Sequence, residues 1–451
     1  MAGKDITELQ YLKNYYEKEG SQLVVFYGQK HMGMTALLRR FCDELQGTYY
    51  RVRACSEREQ QFQWANELRE NGAKLSDYPT YTELFMSMIE QRSHKKVIVI
   101  EEFQNIVKLS ETFMRELIAF FHDQWNNQEV MIILASTSIG WVENSMVGKI
   151  GSAVYEISGL IKMREPGFFD VADLLPESGR KQQIETYAVL GGFPELWSHF
   201  DKDVDVRENI CRHILRRGSY LREEALRLVS DELRETNVYH AILCALSSGR
   251  YKLNDLYLHT GFSRAKISVY LKNLMELEIV EKVFSYDTAG RENTQKGIYR
   301  IKNYLVKFYF RYLYCNLSRL EELDEYTFYD RYIAPSFSAY VSECFGKVCA
   351  EAAGQMDSVP FSGEKMGEWV GKAGNIDIVM QDTDNHFLIG MCNWDRPQMS
   401  FEDYEWLMFC AGQAKIKPDQ VVLFSATGFE EKLISEERGR NDLKLFTISQ
   451  L

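Results

Sequence analysis

The 451-residue chain has only 8 prolines, too few for rigid linkers or proline-rich tails. It has no run of about 18 consecutive apolar residues, so no helix is expected to span a membrane. Its first twenty residues alternate charged and apolar side chains and offer no apolar core of signal-peptide length. Nine cysteines, at positions 42, 55, 211, 244, 315, 344, 349, 392 and 410, form no CxxC pair, and their number is odd. That pattern fits reduced, mostly buried thiols and argues against a disulfide framework or a cysteine zinc site. The eight histidines show no HExxH spacing, so neither zinc nor haem is expected. A cytoplasmic location is the expectation that follows. Positive charge is also in short supply, with 53 Lys and Arg against 65 Asp and Glu for a net −12. A surface that binds phosphate all round is excluded, although one local basic patch is not.

What is present is an ordinary globular balance, 45% apolar and 26% charged, with length for two to four domains. Residues 23–27, 97–100 and 130–134 are continuous apolar runs separated by helical periodicity. They read as strands of a parallel sheet covered on both faces. The helical period dominates from about 165 to 325. Beyond about 330 the texture is mixed, and 375–379 and 387–390 read as strands joined by the turn-rich stretch 382–385.

The first apolar run leads into Gly28-Gln29-Lys30-His31-Met32-Gly33-Met34-Thr35 and then a helical run. Strand, glycine-bounded loop and helix form the setting of a P-loop, where backbone N–H groups and a helix N-terminus cradle phosphates. Every element of GxxxxGK[ST] is present except the lysine, whose place Met34 takes. That removes a charge-assisted contact worth about 1.5–3 kcal/mol. Lys30 or His31 could assist weak phosphate binding. The competing reading is a strand–helix junction with no ligand. The second run ends in Glu101-Glu102-Phe103-Gln104-Asn105. In a P-loop ATPase the strand beside the loop ends in hhhhDE, its aspartate orienting magnesium and its glutamate the attacking water. Here Glu101 takes the aspartate position and Glu102 is the second carboxylate. The third run ends in Ala135-Ser136-Thr137-Ser138, with hydroxyls where a sensor of the γ-phosphate would sit.

With YGQKHMGMT, IEEFQ, LASTSIGWVENSM and the segment 187–194 within a GGFPELW context, the chain resembles the archaeal-type ATPases of the AAA+ superfamily, close to the STAND-like group. The resemblance covers nearly the whole chain. It implies an α/β class: a parallel-sheet P-loop domain over 1–165, a helical lid over 166–235, a winged helix over 236–325 and a restriction-endonuclease-like domain of PD-(D/E)xK type over 326–451.

The residues themselves read as the winged helix. Three short helices precede wing strands near 279–284 and 297–300. In the third helix Ile267, Tyr270, Leu271, Leu274 and Leu277 form an apolar stripe. Arg264, Lys266 and Lys272 on its outer face are the DNA-contact candidates, while residues 251–300 carry eight basic and six acidic groups. In the tail, the family's FEExC, IDhV and GECKW segments correspond to 345–349, 376–379 and 390–394. Only Asp377 remains of the acidic set, since Gly346 and Met391 replace glutamates and Asn393 the lysine. A single carboxylate does not assemble a tight magnesium site. Residues 331–451 hold 11 basic and 18 acidic groups, a field unfavourable to DNA.

The expected protein is an AAA+-family ATP-binding regulator with weak or absent hydrolysis and an inactive nuclease-like domain. Gly28, Lys30, Gly33, Met34 and Thr35 would contact nucleotide, Thr35 and Glu101 would hold Mg2+, and Glu102 would be catalytic if hydrolysis occurs. Ser136 and Thr137 would sense the γ-phosphate, and Asp377 is vestigial. ATP and Mg2+ are the expected cofactors, held weakly. A protein partner is expected, and no membrane. The alternatives are a pseudo-ATPase scaffold for protein interaction and a DNA-binding regulator acting through the winged helix.

Overall fold

Uninterrupted apolar runs become the centre of a parallel sheet. In the computed structural model, which describes residues 7–89, 95–123, 129–288, 297–355 and 365–451, β1 (Gln22–Tyr27), β3 (Lys96–Glu101) and β4 (Val130–Ser136) are buried at every position. With β2 (Thr48–Arg51) and β5 (Gly159–Lys162) they form a sheet in the order β2-β3-β4-β1-β5, every pair parallel. One expectation is overturned here. The strand ending in Glu101 does not lie beside the loop strand, because β4 pairs with both β3 and β1 and separates them. Helical crossovers free strand order from chain order, and β4, apolar along almost its whole length, takes the central place.

Register brings the carboxyl ends of these strands level, pairing Arg51 with Glu101, Glu101 with Ala135, and Tyr27 with Ser136. Ligands of open parallel sheets bind outside this edge. Helix α1 (Met34–Glu44) starts there and turns Leu37, Leu38, Phe41 and Cys42 into the core. Across the sheet, Tyr50 stacks on Trp64 with ring centroids 4.1 Å apart.

Residues 1–165 form one compact unit and 166–451 a second. In the second unit, α2 (Thr236–Ser247), α3 (Leu253–Thr260) and α4 (Arg264–Glu276) are followed by the antiparallel strands β6 (Val280–Val283) and β7 (Ile298–Ile301). Gly261, at φ 72°, ends α3, and Ser263 Oγ accepts the Lys266 N–H to start α4. The stripe residues Ile267, Leu271 and Leu274 are fully buried, while Tyr257 on α3 is exposed. An aromatic segment over 304–316 buries Tyr304, Phe308, Tyr309, Phe310 and Tyr312.

Helix α5 (Ala334–Gln355) then precedes a mixed sheet in the order β12-β11-β10-β9-β8. Strands β8 (Lys365–Val370), β9 (Asn375–Gln381) and β10 (Phe387–Asn393) are antiparallel, whereas β11 (Gln420–Ser425) and β12 (Leu443–Thr447) continue parallel to β10.

Candidate functional site

The loop between β1 and α1 depends on its two glycines. Gly28 donates its N–H to the Ser136 carbonyl at 3.2 Å. A Cβ there would fall 2.9 Å from the Met163 Cβ and 3.3 Å from its carbonyl oxygen, so only glycine fits without displacing that backbone. Gly33 has φ 84°, a left-handed conformation that glycine adopts without a side-chain clash. It caps α1 through no side chain, so the first-turn amides of that helix have no intrahelical acceptor and face the loop as donors. A phosphate satisfies such a set. Lys30 and His31 are half-buried within the loop, His31 at φ 68°. Met34 is 3% exposed, its thioether packed inward at the position where a P-loop lysine would reach the phosphates.

Two carboxylates close the site. Glu101 is fully buried, and one of its oxygens accepts a hydrogen bond from the Thr35 hydroxyl. The other accepts from Tyr49 Oη at 2.8 Å, with Arg51 Nε at 3.6 Å. Burial, and then the Glu101 charge, push the Tyr49 phenol well above its ordinary range. Glu102 stands at φ 59°, a left-handed conformation costing a non-glycine residue about 1–3 kcal/mol. Its carboxylate accepts from the Thr137 hydroxyl at 2.7 Å and from the Gln104 amide. Of the two sensor candidates, Thr137 therefore joins the site. Ser136 is fully buried, and its hydroxyl accepts the Ser138 N–H at 3.1 Å in the strand-ending turn.

Among the described residues no three His, Cys, Asp or Glu side chains are grouped to hold a metal. Mg2+ in nucleotide sites takes one or two protein oxygens beside phosphate and water. The adjoining Thr35 hydroxyl and Glu101 carboxylate fit that requirement, with Arg51 reducing the local negative charge. Tyr49, Arg51 and Gln104 were not among the expected site residues. The aromatic and β-branched composition of Thr48–Tyr50 was the available signal for β2, but nothing in it pointed to a partner in β3.

The mixed sheet of the second unit carries Asp377 on β9. Its carboxylate accepts the Cys392 N–H at 2.8 Å. Although the residue reaches solvent, crowding by protein atoms raises the carboxyl above its ordinary range, opposed by that N–H. Asn393 is buried and donates to the Pro397 carbonyl at 2.8 Å and the Thr427 hydroxyl at 2.9 Å. Met391 is buried, and Gly346 has open space where a side chain would be. Nearby Glu368 is held by the Arg300 guanidinium. Because folding raises the Asp377 pKa, its ionisation lowers stability as pH climbs past the unfolded value, and fully so above the folded one. Asp377→Asn should therefore unfold no earlier than the parent in calorimetry at about pH 7, with any gain fading as pH falls through about 4. Earlier unfolding at neutral pH would mean that the carboxylate is itself structurally required.

On the winged helix, Arg264 donates to Asn254 Oδ1 at 2.6 Å and lies 4.2 Å from the Tyr257 ring centroid. Lys266 pairs with Glu235 and Lys272 with Glu276, each at 3.5 Å. The three lie along one helix, and each has a partner within the protein.

Residues 6–200 match the model of an ATPase domain predominantly from Archaea, 241–282 that of the arsR family of bacterial regulatory proteins, and 309–405 a family described as archaeal and bacterial proteins of unknown function. An uncharacterised protein of Methanocaldococcus jannaschii is 24% identical over 413 residues, 86% of each chain. The Walker-type ATPase of Pyrococcus abyssi shares the fold at a TM-score of 0.50 and 17% identity, covering 68% of this chain and 95% of that one.

Proposed function

Because residues 6–200 match the model of an ATPase domain predominantly from Archaea, we propose that this chain binds ATP at the Gly28–Thr35 loop and uses occupancy as a signal, with little or no turnover. The observation that carries this reading is the joined set at the sheet's carboxyl edge. Gly33 opens α1 towards the loop, Thr35 bonds Glu101, and Glu102 bonds Thr137. Backbone amides from Gly33 to Thr35 would take the phosphates, and Lys30 adds charge from the loop. Thr35 and Glu101 would hold Mg2+, which neutralises phosphate oxygens when bound. Glu102 and Thr137 would lie near the terminal phosphate, so that their hydrogen bond distinguishes ATP from ADP.

Slow turnover follows from Met34, because charge developing on the transferred phosphoryl group lacks its usual cation. The remaining segments fit a signalling chain: a helical lid over 166–235, a winged helix over 236–325 and a nuclease-like domain over 326–451 with no metal-holding acidic cluster among its described residues. The partnered cations on α4 favour a winged helix that contacts protein over one that reads DNA. Isothermal titration of the full chain with ATP and Mg2+ should show saturable heat at micromolar to roughly millimolar dissociation constants. Absence of heat up to that limit would reduce the ATPase fold to a scaffold.

A further inference from the structure

Cys244 and Cys315, 71 positions apart in the chain, bring their sulfurs to 3.1 Å as hydrogen-bonded free thiols. Cys244 lies on α2, the first helix of the winged helix, and Cys315 in the turn Tyr314–Asn316 that follows the buried aromatic segment. Both reach the surface, Cys244 half-buried and Cys315 exposed. The backbone on each side is held in place. Ser247 and Ser248 hydroxyls donate to the Cys244 carbonyl at 2.9 and 2.8 Å, and Arg311 Nη1 donates to the Ser247 carbonyl at 2.9 Å. His240, one turn before Cys244, packs against the rings of Phe310 and Tyr314 at 5.5 and 5.4 Å.

The two sulfurs differ chemically. Contact with Cys244, helped by the Arg311 charge, holds Cys315 below the ordinary thiol range, while the same contact and burial push Cys244 above it. A thiolate-forming cysteine in contact with a protonated one is the arrangement of an attacking and a resolving thiol. A second pair of interacting thiols, Cys349 and Cys392, has both raised, chiefly by burial, and serves as an internal reference.

We propose that Cys244 and Cys315 are a covalent modification site, where a small-molecule disulfide converts the paired thiols into an intramolecular disulfide that ties α2 to the aromatic segment. The Cys315 thiolate attacks one sulfur of the reagent, forming a mixed disulfide and expelling one reagent thiolate. Cys244 then gives up its proton and attacks the Cys315 sulfur, expelling the second. The cysteine pair loses two electrons and two protons, and the reagent leaves as two thiols. Closing the bond from 3.1 Å to about 2.05 Å needs an approach of only about 1 Å. The link would fix the first helix of the winged helix to its neighbour.

The test is to incubate the full chain with glutathione disulfide, alkylate the remaining thiols, and map peptides by mass spectrometry. The expected product is about 2 Da lighter than the reduced chain before alkylation, with two alkylated positions lost, a linked Cys244–Cys315 peptide, and full reversal by dithiothreitol. Cys349 and Cys392 should stay unlinked. In Cys244→Ser, glutathione should remain on Cys315 as a stable adduct. Complete alkylation of both cysteines in the treated wild-type chain, a persistent glutathione adduct on it, or a link between Cys349 and Cys392 in preference would each overturn the proposal. The wild-type readouts do not depend on the folding of any variant.

Discussion

Lysine in place of Met34 should tighten ATP binding roughly ten- to a hundredfold in titration calorimetry with Mg2+. The expectation follows from position and size. Met34 opens α1 immediately after Gly33 at φ 84°, where a longer cationic side chain would meet phosphates cradled by the same first turn. Lysine and methionine have similar stem lengths and helix propensities, so the aliphatic part can occupy the channel that now buries Met34. The ammonium would then supply a charge-assisted bond of about 1.5–3 kcal/mol. Turnover should rise with affinity, since the added charge acts where the transferred phosphoryl group becomes more anionic. Met34→Gln separates charge from shape and should leave affinity near that of the parent. Equal affinity in all three proteins would mean that the phosphates do not reach this helix.

The parts of this site legible in the sequence were those encoded by neighbours in the chain. Burial of β1, β3 and β4 on both faces makes each a continuous apolar run, and Gly33 and Thr35 stand at fixed offsets from Gly28 within one turn of chain. Contacts across the sheet carry no such local mark. Nothing in the run ending at Glu101 reveals that β4 stands between it and β1, or that Tyr49 and Arg51 from β2 reach the same carboxylate. Ser136 and Thr137 were indistinguishable as hydroxyls. The strand ends between them, so one turns into the backbone and the other toward Glu102.

A similar division holds in the second unit. The stripe of α4 marked its buried face and Lys272–Glu276 is an i,i+4 pair on that helix, but the acid that occupies Lys266 depends on where Glu235 falls in space. Strand β8 is exposed or half-buried at all positions except Trp369, so it lacked the apolar run that revealed β9 and β10. The cysteines show the limit most plainly. An odd, scattered set suggested free thiols, but no spacing rule joins positions 71 residues apart.

Glu101→Ala should cost the first unit about 2–4 kcal/mol, lowering its unfolding midpoint by roughly 5–12 °C. One fully buried carboxylate joins three elements, accepting from Thr35 on α1 and Tyr49 on β2 while its own backbone sits in β3. Truncation leaves the Tyr49 hydroxyl and the Thr35 hydroxyl without their acceptor in a space too confined for free hydration. Arg51 is 59% exposed in its side chain and can turn to solvent, so the loss stays below that of stranding a fully buried cation. Glu101→Gln keeps one acceptor oxygen and should lose less than half as much. Removing the carboxylate also removes the charge that helps raise the Tyr49 phenol. That phenol should then ionise at lower pH in an alkaline ultraviolet titration of the folded variant. A structural role alone would move stability and the phenol but not the response to metal. If Glu101 holds Mg2+ as proposed, ATP affinity in Glu101→Gln should become nearly indifferent to Mg2+, while the parent binds several-fold tighter with it. A parent-like unfolding midpoint in Glu101→Ala would show that Thr35 and Tyr49 find other acceptors. A parent-like Mg2+ dependence in Glu101→Gln would show that the ion is held elsewhere.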